Sequence, residues 1–189
     1  MDAEMAKNFY DNHEWFNQFF DDLYNLVDKV AAGLSRERFE ESAGRQYYKA
    51  QRKPSLPDIY TALFSREAGP RLILASLMKR EYKNKAVPSE PALLVLAYDL
   101  DHDDQGIAAH VVNMKHVHPP RNDSALTLSG HLDLGKTVNF RGFFVPLDAF
   151  SVQNCTNVED AVQEKIIEPL RTILDEPFTQ PGKKSKTKE

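Results

Sequence analysis

Four side chains, His110, His131, Asp133 and Arg141, carry the groups that hold anions, move protons or ligate metals. Imidazoles two residues apart on one strand project the same way, and a neighbouring strand can add a third ligand and a carboxylate. His116 and His118 form such a pair, and His110, His131 and Asp133 form a second set. With His131 opposite the stretch from His110 to Met114, several residues from His118, the five do not converge on one ion. A surface or hydrogen-bonded histidine is the commoner reading of such residues, so no metal and no other cofactor is assigned. The same set supports acid–base chemistry, with His131 or His110 oriented by Asp133 and the planar donor fork of Arg141 holding an anion. No nucleophile signature accompanies it. Gly-x-Ser-x-Gly is absent, Ser129 has no distinctive context, and Cys155 lies outside the set, just before a helix start.

Residues 130 to 137 spell Gly-x-x-x-x-Gly-Lys-Thr, the phosphate-loop string. That loop needs a strand, a glycine-rich turn and then a helix whose N-terminus faces the phosphates. Here apolar residues alternate on both sides of Gly135, so the string is expected to be a hairpin. The run Asp99, Asp101, Asp103, Asp104 mimics a calcium loop, yet counting from Asp99 the sixth position is Asp104 instead of glycine and the twelfth is His110 instead of glutamate. It is read as a loop between strands.

The elements that must position these residues follow from periodicity. Residues 5 to 32 predict a long amphipathic helix on Phe9, Phe16, Leu23 and Val30, with Phe19, Phe20, Leu26 and Val27 beside them and a stop at Gly33. The heptad allows for a homodimer through a coiled coil, but the bulk of its aromatics suits packing on a sheet better. A short second helix is expected over Ser35 to Ala43. Strands are expected at Gln46 to Ala50, Ile59 to Phe64, Arg71 to Tyr82, Ala92 to Leu100, Ile107 to His118, Ala125 to Leu134 and Val138 to Val145, separated by Pro, Gly, Asn and Asp clusters. With Leu134 opposite Val138, one face carries Leu128, Leu132, Phe140, Phe144, Leu94, Leu96, Tyr98, Ile107 and Val111. The other carries His110, His131, Asp133, Asn139 and Arg141, mixed with Val95, Val112, Met114 and Phe143. That second face should be partly covered. A C-terminal helix begins at a capping box, Thr156 to Glu159, with a stripe of Val158, Val162, Ile166, Leu170 and Ile173 that Pro169 should kink.

The expected fold is α+β, a mostly antiparallel meander of about five to six strands with a long N-terminal and a C-terminal helix packed on it. A chain of 189 residues with 41% hydrophobic and 28% charged side chains suits one globular domain, read as residues 1–178, followed by a disordered Lys-rich tail at 179–189. The single cysteine favours the cytoplasm. No secretory signal is read in the first residues, and no stretch is apolar enough for a membrane span. Charge is uneven: residues 1–44 hold 4 basic and 10 acidic side chains, 45–85 hold 10 and 3, and 86–189 hold 10 and 15. The basic middle interleaves tyrosines as a nucleic-acid surface would, but its acidic flanks can neutralise it, so nucleic acid is not the expected partner. The sequence points instead to a non-enzymatic module binding a small ligand or a protein through His110, His131, Asp133 and Arg141. The alternatives are a metal-dependent or His/Asp enzyme acting on an anion, and a nucleic-acid-binding protein.

Overall fold

The computed structural model describes residues 3–48, 59–77, 87–99, 106–113, 127–151 and 156–175. Helix α1 spans Ala3–Arg36. Its buried residues Leu23, Leu26, Val27, Val30 and Leu34 recur every three to four positions and form the stripe that faces the core. The helix does not stop at Gly33. It stops at a Schellman turn, where Arg38 N–H donates to Ser35 O and Phe39 N–H to Leu34 O, both at 3.0 Å, and Arg38 takes a φ of 65°. Leu34 and Phe39, both buried in one cluster, supply the apolar pair that accompanies such a turn. Gly33 serves packing instead: a Cβ there would lie 3.1 Å from Ile167 Cδ1.

The helix expected over Ser35–Ala43 gives way to strand β1, Glu40–Tyr48. Strands β2 (Ile59–Ser65), β3 (Arg71–Leu77) and β4 (Ala92–Tyr98) follow as antiparallel neighbours. Every residue of β4 is buried, the pattern of a strand covered on both faces.

The expected strand at Ile107–His118 is corrected: Gly106–Asn113 is helix α2. Topology gives the reason. The strand order is β1-β2-β3-β4-β6-β5, with β6 (Thr137–Pro146) between β4 and β5 (Thr127–Asp133). Both β4 and β5 run antiparallel to β6 and hence parallel to each other, and parallel strands need a crossover of a dozen or more residues, usually helical. Helix α2 lies in that crossover.

In the β5–β6 hairpin Leu132 pairs with Val138, Gly130 with Phe140 and Leu128 with Gly142. This is two residues from the expected register, and a slip of two leaves every side chain on its face. Leu134 moves into the turn, 37% exposed.

The two sheet faces have separate cores. One packs Tyr60, Phe64, Leu72, Leu93, Val95, Phe143 and Val145 against α1 and the C-terminal helices; the other packs Ile73, Leu94, Leu96, Tyr98, Leu128, Phe140 and Phe144 against α2. After β6 comes a 3₁₀ turn, Leu147–Phe150, then α3 (Val158–Val162), a π turn (Gln163–Ile167) and α4 (Glu168–Asp175). Asn157, not Thr156, caps α3, accepting from Glu159 N–H at 2.9 Å. Pro169 does not end the helix, because Glu168 N–H reaches back to Gln163 O and the π turn re-spaces the carbonyls ahead of the proline ring.

Candidate functional site

The β5–β6 hairpin brings three of the four expected residues to one face. Ser129 pairs with Arg141, His131 with Asn139 and Asp133 with Thr137. These share the parity of Phe143 and Val145, on the side of α1 and the C-terminal helices, but lie toward the hairpin tip, where His131 and Asp133 are exposed and Arg141 is half-buried. Asp99 fixes the centre of this shelf. Asn139 donates its main-chain N–H to Asp99 Oδ1 and its side-chain Nδ2 to Oδ2, each at 2.6 Å. Asp133 Oδ1 accepts from Gly135 N–H at 3.3 Å, so that carboxylate braces the turn, where Gly135 takes a φ of 80°.

His110 is not part of this shelf. It is the exposed one among the described side chains of α2, whose Ile107, Ala108, Ala109, Val111 and Val112 are buried on the opposite side of the sheet. Among the described residues no three His, Cys, Asp or Glu side chains converge to hold a metal ion. His116, His118, Met114 and Cys155 lie outside the described residues, as do the tail at 179–189 and all of the acidic run but Asp99. Gly130 to Thr137 is strand, turn and strand, without the helix that a phosphate loop requires.

Much of the basic segment also lies outside the described residues. Arg45, its described member on β1, donates to Asp28 on α1 and, at 3.1 Å, to Glu41. Burial alone would lower its pKa, but the hydrogen bonds it donates to Glu41 and Asp28 outweigh that and hold it above the ordinary guanidinium value. Tyr60, 1% exposed and edge-on to Tyr24 at 5.3 Å, cannot stack on a base.

The sequence reading missed a cleft of about 480 Å³ between α1 and the connection from β6 to α3. Phe19, Leu23 and Leu26 from α1 form one wall, and Leu147, Phe150 and Val158 form the other. Asp22, Asn25, Lys29 and Ser151 supply its polar groups. Lys29 is ion-paired with Glu159, and its hydrogen bond holds the Glu159 carboxyl below the usual range. The sequence offered one signal, Phe19 and Phe20 beside the stripe of α1; the partners Leu147, Phe150 and Val158 become visible only in the fold.

Comparison of the chain with family models, curated proteins and solved structures yields no match in any of the three. No described helix is long and apolar enough to cross a membrane.

Proposed function

We propose that this protein is a non-enzymatic binding module of the cytoplasm whose main site is the cleft between α1 and the β6–α3 connection. Its ligand is a small molecule with an apolar body and one hydrogen-bonding group. The observation that carries this reading is the cleft itself: a volume of about 480 Å³, six apolar side chains and four polar ones, the size and chemistry of small-molecule sites. The shelf of His131, Asp133 and Arg141 is kept as a secondary contact surface, without His110. The acid–base alternative has less support, because His110 stands on the far side of the sheet and Asp133 is turned to Gly135 N–H. The nucleic-acid alternative is weakened by the ion pairs of Arg45 and the burial of Tyr60.

A screen of aromatic and aliphatic fragments by ligand-observed NMR tests the proposal. A fragment of about fifteen heavy atoms binding at about −0.3 kcal/mol per atom reaches a Kd of about 0.5 mM. Binding is expected in the native protein and lost in Asn25→Trp, which places an indole at the rim of the cleft from an exposed position. An absence of fragment binders, or binders indifferent to Asn25→Trp in a variant with unchanged melting, refutes the site.

A further inference from the structure

The two edges of the sheet differ in a way that packing among the described residues does not explain. An edge strand presents unpaired main-chain donors and acceptors, and proteins blunt such edges with bulges, charges and proline. Strand β1 is blunted: its register shifts between Glu41 and Ala43 and again between Ala43 and Gln46, and Arg45 is tied to Asp28 and Glu41. Strand β5 pairs with β6 without a shift over all of Thr127–Asp133, it contains no proline and no lysine, and its carboxylate, Asp133, stands at its last position and accepts from Gly135 N–H in the turn.

Asn139 shows which way the main-chain groups of β5 point. Its N–H donates to Asp99 Oδ1 and its carbonyl accepts from Asp99 N–H at 3.1 Å, so both turn toward β4. Main-chain groups alternate sides along an antiparallel strand. Val138, Phe140 and Gly142 therefore turn toward β5, and their partners Leu132, Gly130 and Leu128 turn toward β6. The groups of Thr127, Ser129, His131 and Asp133 face outward, where no described strand lies.

We infer that the outer edge of β5 pairs antiparallel with β5 of a second copy, with the two-fold axis at Gly130. This register overlaps the whole strand. It sets Ser129 opposite the second copy's His131, Thr127 opposite its Asp133 and Leu128 opposite its Leu132. Like charges are nowhere directly opposed, and all four outward-facing residues meet partners whose groups also face outward. A two-fold contact must be self-complementary, and this one is, in both charge and hydrogen bonding. Two copies then form one continuous sheet, with the His131 side chains of both near the axis.

Sedimentation velocity between about 10 and 500 µM, a range suited to a small interface, reads the association. Native protein is expected to pass from monomer to dimer. Ser129→Pro removes an outward donor without touching the β5–β6 ladder and should raise the dissociation constant at least about tenfold. Ser129→Lys with His131→Lys opposes like charges and should dissociate the pair, whereas Ser129→Glu with His131→Lys opposes unlike charges and should restore it. A native protein that stays monomeric overturns the inference, as does a dimer that Ser129→Pro leaves unchanged. Should the proline variant melt early, the two double variants decide, and equal association in both overturns it.

Discussion

Gly142 sits on β6 between β4 and β5, paired with Leu96 on one side and Leu128 on the other. A Cβ built there would lie 2.4 Å from Val95 O, 2.9 Å from Leu96 Cδ1 and 3.2 Å from Leu96 Cα. The first and last contacts are main chain on β4, whose residues are all buried, so relief requires moving a strand held on both sides. Overpacking of this kind costs about 1–3 kcal/mol, and the main-chain contact places Gly142→Ala at the upper end, about 3 kcal/mol. The smaller conformational freedom of the unfolded alanine chain offsets about 0.5–1 kcal/mol of that. At about 2–4 °C per kcal/mol for a domain of this size, thermal unfolding followed by circular dichroism should show a loss of about 4–10 °C. Gly130→Ala is the internal control. Its Cβ would meet Phe140 Cζ at 2.9 Å, the far end of a side chain instead of main chain, so its loss should be the smaller of the two, near the lower end of about 1–3 kcal/mol. Equal losses in the two variants, or no loss in Gly142→Ala, would show that main-chain crowding between β4 and β6 is not what requires glycine.

Two further predictions use other parts of the fold. Arg38 holds a φ of 65° at the end of α1, where glycine has no steric penalty, so Arg38→Gly should raise stability by about 0.5–1 kcal/mol in urea unfolding; a loss would mean that the arginine side chain outweighs the backbone term. Burial pushes the Tyr60 hydroxyl up to about 12, with Arg45 acting in the opposite sense. The folded state therefore keeps a proton that the unfolded chain loses near pH 10, and this contribution is whole below about pH 10 and lost as pH rises toward 12. Tyr60→Phe should flatten stability over that alkaline window, and a slope unchanged from the native protein would contradict the assignment.

The strands at β2, β3, β4, β5 and β6 were legible because alternation and turn residues are local signals, and the face of His131, Asp133 and Arg141 survived a register error because that error was even. Helix α2 was misread for a physical reason. Ile107, Ala109 and Val111 satisfy a period of two, but Ile107, Ala108, Val111 and Val112 satisfy helical spacing and leave His110 as the exposed position. In a short run buried almost all round, periodicity cannot separate strand from helix. Chain direction decides it, since β6 inserts between β4 and β5 and makes a crossover necessary, and no residue within 107–118 reports that.

The same distinction between local and non-local information explains why the candidate site moved. A set drawn from strands can be assembled from parity alone, which is how His110 came to be grouped with His131. Parity has no meaning once the residue sits on a helix, and α2 carries His110 to the solvent side of the second core. The cleft depends on more distant relations still. Phe19 and Leu26 come from the first helix, and Phe150 and Val158 from opposite ends of the connection that follows the last strand. Their meeting requires α1 to lie on the same face as α3 and the π turn that continues it, where Lys29 pairs with Glu159 and Gly33 closely approaches Ile167 of that turn. A substitution that separates α1 from α3, such as Gly33→Leu against Ile167, should therefore alter the cleft while leaving the β5–β6 shelf intact, because no residue of that shelf lines the contact.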